Sequence, residues 1–166
     1  MRTNAGKIGC AMMLAAGVML GGCQTIHVQG VGDVCNQNVR VDVVGVSWVE
    51  RPQWEALSMQ EYWSEGNQRR KDSIDQGYNL PIRFGPGNPC EVTLKKKDRV
   101  WKKWKERGAT HFLVMFDTCR DDQSWRLCLP LSGKCWGGLT AKKAIEVLIQ
   151  PSGVSPKTPP KPGCGQ

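Results

Sequence analysis

The sequence is poor in the residues on which enzyme sites are commonly built. Its 166 residues include only 2 histidines, no pair of cysteines spaced C-x2-C and no glycine-rich phosphate-binding loop. His27 lies near the amino terminus, and His111 begins an apolar strand, where a partly buried structural role is expected. The adjacent Asp121 and Asp122 are typical of a turn. Because the common zinc and nucleotide-binding motifs are absent, we expect neither a metal nor another cofactor.

The sequence also lacks an apolar run long enough to cross a bilayer as a helix. The uncharged run at residues 8–20 has 13 residues, whereas a transmembrane helix needs about 20. Because Arg2 and Lys7 precede this run, we interpret it as the apolar part of a secretion signal. The run ends in Leu-Gly-Gly-Cys, which resembles the bacterial lipobox. The resemblance implies cleavage after residue 22 and a lipid on the thiol of Cys23, and Gln24 after it implies the outer membrane.

A lipid would fix the protein to a membrane, because each buried CH2 of an acyl chain contributes about 0.8 kcal/mol. The alternatives are an ordinary signal peptide with a chance cysteine and a short uncleaved anchor. The predicted domains are a signal peptide at 1–22, a lipidated tether at 23–37, a sandwich domain at 38–150 and a Pro- and Lys-rich tail at 151–166. We expect this tail to be extended and mobile.

Most of the excess positive charge lies in one stretch, KKKDRVWKKWKER at residues 95–107, which has eight cations and two anions. Asp98 can cap a helix that runs from Arg99 to Arg107, and Gly108 suits the left-handed residue after it. We expect no nucleic acid partner for an exported protein; the anions available outside the cytoplasm are lipid headgroups, lipopolysaccharide phosphates and acidic protein surfaces. The predicted basic surface comprises Lys95, Lys96, Lys97, Lys102, Lys103 and Lys105.

Two tryptophans, Trp101 and Trp104, share one face of this basic helix. They either take part in binding or pack onto the sheet, and the second interpretation is favoured.

Six cysteines remain once Cys10 leaves with the signal and Cys23 carries the lipid: Cys35, Cys90, Cys119, Cys128, Cys135 and Cys164. An even number in an exported chain predicts up to three disulfides. The local candidates are Cys128–Cys135 and Cys119–Cys128. We favour the first, because the loop at 132–133 is Ser-Gly and can bring the two Cα atoms within about 4.4–6.8 Å. A bond of Cys164 would tie the tail to the domain.

Alternating apolar residues predict several short strands. The clearest, NVRVDVVGVS at 38–47, has the pattern of a half-buried strand. ATHFLVMFDTC at 109–119 is apolar on both faces and should be central, and SWRLCLPL at 124–131 follows it as the second strand of a hairpin. KAIEVLIQ at 143–150 and the shorter TIHVQG and CEVTL complete the set.

Two helices are predicted, one within RPQWEALSMQEYW at 51–63 and one in the basic stretch. The polar segment at 64–90 is expected to be a long loop that is either functional or poorly ordered. The predicted fold is therefore mainly β: an antiparallel two-layer β-sandwich with two short helical insertions.

The lipobox and this order of elements, VRVDVVGVS, WEALSMQEYW and THFLVMFDTC before WRLCLPL and AIEVLIQ, resemble the small outer-membrane lipoprotein of type VI secretion systems. The resemblance implies a β-sandwich with added helices and no catalytic site. It also implies a lipid-anchored tether on the periplasmic face, which holds the periplasmic end of a large inner-membrane subunit. The six cysteines, the Lys/Trp helix and the Pro-rich tail depart from the family's pattern.

Two other functions fit the sequence. The first is a periplasmic lipoprotein that binds peptidoglycan or lipopolysaccharide through the basic Lys/Trp helix. The second is a thiol hydrolase, which would need a free cysteine beside His111.

Overall fold

The computed structural model describes residues 25–117, 123–136 and 144–164. Within them the chain forms eight strands and four α-helices. The strands are β1 Thr25–Gly30, β2 Val39–Val46, β3 Asn79–Phe84, β4 Glu91–Lys95, β5 His111–Phe116, β6 Arg126–Pro130, β7 Ile145–Gln150 and β8 Gly153–Pro156. The helices are α1 Arg51–Glu55, α2 Met59–Trp63, α3 Gln68–Asp75 and α4 Arg99–Glu106.

The strands form two four-stranded sheets, with the orders β4-β1-β7-β8 and β3-β2-β5-β6. This mainly β fold of two sheets confirms the predicted sandwich. One pairing differs from the prediction, because β1 and β7 run parallel, with Ile26 opposite Ile145. The other pairs in both sheets are antiparallel, including the predicted β5–β6 hairpin, in which Leu113 lies opposite Cys128.

The two ends of the sandwich have different residues, and we name them by the start of β1. At the proximal end the first sheet has Thr25 opposite Lys95. The second sheet has the end of β2 and the start of β5 there. The segments that follow β6 and β8 meet at this end, where the amide of Lys161 donates to the carbonyl of Cys135. The distal end holds Gly30 and the start of β2.

Strand β2 is buried on both faces, so the prediction of a half-buried strand is wrong. One face carries Val41 and Val43 into the core between the sheets. The other carries Asp42, which hydrogen-bonds to side chains on α2 and α3. The helices therefore cover a face that the alternating pattern assigns to solvent.

The segment predicted as a long loop at 64–90 contains helix α3 and strand β3. Helix α3 begins where the side chain of Asn67 accepts a hydrogen bond from the amide of Arg70, at 2.7 Å. The helix is polar along most of its length and buries only Ser73 among its side chains. Its sequence therefore has no apolar stripe, which is the usual sign of a surface helix, and does not predict this helix.

Both ends of the described part of the chain belong to the sandwich more fully than predicted. Strand β1, expected within a tether at 23–37, lies inside its sheet between β4 and β7. Residues 153–156, expected in the extended tail, form β8, with Val154 opposite Ile149. The predicted tie of the tail is present, because Cys164 is bonded to Cys135.

Candidate functional site

The predicted basic surface is divided between a turn and a helix. Lys95 ends β4, and the following turn is closed by the Asp98 carboxylate, which accepts a hydrogen bond from the amide of Lys95 at 2.7 Å. Asp98 precedes α4 as predicted, but its side chain makes this turn contact and does not cap the helix. Gly108, past the end of α4, has the expected positive φ of 66°. We call residues 95–97, whose side chains are all exposed, the basic turn.

Helix α4 presents lysines to solvent and tryptophans to the core. Lys102 and Lys105 are exposed, and Lys103 pairs with Glu106 at 2.7 Å. The two tryptophans, Trp101 and Trp104, are only 4% and 1% exposed, so they are part of the core as the favoured interpretation predicts. Without an exposed aromatic ring, α4 lacks the stacking surface on which the peptidoglycan or lipopolysaccharide alternative partly rests.

A second surface feature, which is not among the predicted sites, is the loop between β2 and α1 at residues 47–50. Trp48 and Val49 are 54% and 79% exposed, and they are the exposed large apolar side chains among the described residues. The loop is held by Glu50, whose carboxylate accepts from the amide and the hydroxyl of Ser47 at 3.0 and 2.8 Å. We call residues 47–50 the apolar loop. The sequence indicates this loop only by the pair Trp-Val, which follows a strand and precedes Pro52 at a place where residues are usually polar.

Two disulfides join distant segments. Cys35 is bonded to Cys90 at the distal end, with their Cα atoms 5.3 Å apart, and Cys135 is bonded to Cys164, with a separation of 5.6 Å. The favoured local pair Cys128–Cys135 is therefore wrong. Cys128 lies within β6 with a free thiol, whereas the tail returns along the proximal end to Cys135. Cys119, like Cys23, lies outside the described residues.

The free thiol of Cys128 is a poor nucleophile. Burial raises its pKa to about 12, and nearby Glu55 adds to the rise. His111 is buried and is only 3.5 Å from the guanidinium of Arg51; burial first and Arg51 second lower its pKa. A hydrolase needs the thiolate, which is a minute fraction of this thiol at neutral pH. His111 instead holds the structural position expected for it.

The cysteines allow one experiment on the mature protein, alkylation with iodoacetamide at pH 8 followed by non-reducing peptide mapping. We expect linked peptides for Cys35–Cys90 and Cys135–Cys164. Cys128 should react roughly a thousandfold more slowly in the folded protein than in denaturant, because the thiolate fraction falls by that factor. Three or more free thiols, or rapid alkylation of folded Cys128, would contradict this assignment.

Two general features of the described residues bear on the site. No group of three or more His, Cys, Asp or Glu side chains within residues 25–117, 123–136 and 144–164 is placed to hold a metal ion. None of the helices in those segments has the length and apolar character needed to span a bilayer.

The comparisons with known proteins find similarity in structure. No family model matches the sequence, and no curated protein matches it. The Serratia marcescens protein Lip, a membrane-bound component of the type VI secretion system, is similar in structure with a TM-score of 0.50 at 12% identity. The match covers 81% of this chain and 95% of that one.

A chain in the structure of the C-terminal domain of the type VI secretion protein TssM from EAEC is also similar, again with a TM-score of 0.50 at 12% identity. That match covers 80% of this chain and 98% of the other. Since both similarities extend over nearly the full length of the matched chains, the sandwich with its added helices has the fold of the Lip component of the type VI secretion system.

Proposed function

We propose that this chain is an outer-membrane lipoprotein that serves as a non-catalytic structural tether in a trans-envelope complex, the type VI secretion system. The observation that carries the proposal is the fold shared with Lip, a membrane-bound component of that system. In this proposal residues 1–22 are the signal peptide and Cys23 carries the lipid on the periplasmic face. The partner is the periplasmic part of an inner-membrane subunit.

Three further observations support the proposal. The Leu-Gly-Gly-Cys motif ends two residues before β1, so the anchor joins the folded domain directly. The two disulfides suit an oxidising compartment such as the periplasm. The raised pKa of the Cys128 thiol disfavours the thiol hydrolase, because that enzyme would need a thiolate.

Replacement of Cys23 tests the anchor. The Cys23→Ser variant should accumulate as an unprocessed or mislocalised precursor without palmitate, because neither acylation nor the cut after Gly22 can occur. The measurement is palmitate labelling with membrane fractionation, and Cys128→Ser is the matched control, since it removes a cysteine to which the proposal gives no lipid. Cys23→Ser protein that still incorporates palmitate and fractionates with the outer membrane would show that the lipobox interpretation is wrong.

The same variants test the tether. In the source bacterium, loss of the chain should abolish secretion by the type VI system, and the wild type and Cys128→Ser should restore it. Cys23→Ser should not, because an unanchored domain cannot hold its partner at the outer membrane. Normal secretion by a strain that lacks the chain would contradict the proposed function, even if the palmitate experiment confirmed the lipid anchor.

A further inference from the structure

We propose that the proximal end of the sandwich docks on the anionic phospholipid headgroups of the leaflet that holds its acyl chains. The basic turn would contact the headgroups and the apolar loop would enter the interface beside them. The proposal rests on the proposed function, because the lipid on Cys23 places the domain at the membrane. It adds that the domain has a fixed face toward the bilayer, made by its own side chains.

The distance from the anchor to the fold is very short. Only Gln24 lies between Cys23 and Thr25, the first residue of β1. An extended chain advances about 3.3–3.6 Å per residue, so the Cα atom of Thr25 lies within about 7 Å of that of Cys23. With β1 fixed in the interior of its sheet, the proximal end must stay close to the bilayer surface.

The basic turn lies beside this attachment point. Thr25 is opposite Lys95 in the β1–β4 ladder, and the exposed lysines at 96 and 97 follow directly. A lysine near an anionic membrane surface strengthens association by roughly fivefold, over a range of about 8 Å at physiological ionic strength. Because Lys95 pairs with Thr25, the basic turn is held beside the strand that follows the anchor.

Other charges at the proximal end keep it positive. The exposed lysines Lys134 and Lys161 follow β6 and β8 at this end. The carboxylates nearby have partners: Glu50 accepts from Arg107, Glu146 from Lys157, and Asp98 from the amide of Lys95.

The distal end carries exposed charges of both signs. Asp33 and Glu91 are exposed there, and so are Arg40 and Arg83, which lie opposite each other in the β2–β3 ladder. An anionic surface is therefore attracted more strongly to the proximal end, where the three exposed lysines of the basic turn lie together.

The apolar loop is at the proximal end as well, because it follows the last residue of β2, and the carbonyl of Val46 accepts from the amide of Thr110 just before β5. Trp48 projects with more than half of its surface exposed. The guanidinium of Arg51 lies 5.5 Å from its ring centroid. Tryptophan favours the membrane interface, where its apolar ring and polar edge are both accommodated.

The test uses the mature lipidated protein in vesicles of phosphatidylcholine, alone or mixed equally with phosphatidylglycerol, with acyl chains brominated to quench tryptophan. In the anionic vesicles we expect quenching that Trp48→Phe removes and that high salt reverses. Lys95→Gln with Lys97→Gln should shift the equilibrium between docked and undocked domain by roughly tenfold to thirtyfold. The fold should persist, because Asp98 binds the backbone of Lys95. Lys71→Gln with Arg83→Gln, which removes two exposed charges elsewhere, is the matched control.

The outcomes separate this proposal from the one it rests on. Protein that floats with the vesicles but shows no quenching dependent on Trp48 has its anchor and lacks the docking face, which would overturn the inference alone. Equal effects of the basic-turn double variant and the control double variant would also overturn it, since the net charge of the domain and not the basic turn would then cause the docking. Mature protein without acyl chains would overturn the anchor and the docking face together.

Discussion

Replacing Asp42 with alanine should lower the free energy of unfolding by about 3–5 kcal/mol, a large part of the roughly 5–15 kcal/mol typical of a domain. The carboxylate is 1% exposed. It accepts from the hydroxyl of Tyr62 at 2.7 Å, from Nε of Arg70 at 2.8 Å and from Nδ2 of Asn79 at 3.0 Å. Without it, a largely buried guanidinium and two buried polar groups lose their acceptor. Chemical denaturation of the purified protein measures the change.

The matched control is Asp117→Ala, because Asp117 forms an ion pair with Arg40 nearer the surface of the same sheet. An exposed pair contributes only about 0.2–1 kcal/mol, so this variant should remain close to the wild type. If the two aspartate variants lose the same stability, the Asp42 cluster does not hold α2 and α3 to the sheet as the structure indicates.

Replacing Gly45 with alanine should cost about 3 kcal/mol or more, since the added methyl group has no space. A Cβ atom at residue 45 would lie 2.3 Å from Cγ of Trp104. The indole cannot move freely, because it is almost fully buried, donates from Nε1 to the carbonyl of Tyr78 at 2.7 Å and stacks on Phe112. Displacing it adds overpacking strain to the loss of a buried hydrogen bond. The midpoint of thermal or urea unfolding reports the loss.

Gly66→Ala is the control for this substitution, because a Cβ atom at Gly66 meets nothing within 4 Å. Its stability should change by no more than about 1 kcal/mol. A double variant in which Trp104→Phe accompanies Gly45→Ala should lose less than the sum of the two single variants, since the smaller ring relieves the overlap. Strict additivity would show that Gly45 and Trp104 are not in the contact described.

The sequence predicts the parts of the fold that depend on local patterns. Strand β7 alternates buried and partly buried residues from Ile145 to Gln150, and β5 is buried throughout, as their sequences indicate. The basic helix and its buried tryptophans are confirmed because the spacing of Trp101 and Trp104 places both rings on one face. These features need no knowledge of distant residues.

The features that were missed depend on contacts between distant residues. Helix α3 has almost no apolar face and is held by the pairing of Arg70 with Asp42, which are 28 residues apart. The bond between Cys135 and Cys164 exists because the tail returns along the proximal end, whereas spacing alone favours a bond from Cys135 to the nearer Cys128. The candidate surface was found only in part, since its lysines form a visible run, whereas the apolar loop becomes significant only when the fold leaves it exposed.

The interior position of β1 determines how the domain would resist mechanical load. In the proposed lipoprotein, a pull on the anchor at residue 23 enters the domain at the start of β1, which is hydrogen-bonded on one side to antiparallel β4 and on the other to parallel β7. A force along the axis of β1 therefore loads two ladders at once, whereas a terminal strand at an edge would be held by one ladder alone. Resistance to forced unfolding is governed by the rate of unfolding, and this rate falls when more hydrogen bonds must break before the strand is released. In the proposed lipoprotein, the strand that follows the anchor is therefore also the part of the sheet best placed to bear tension.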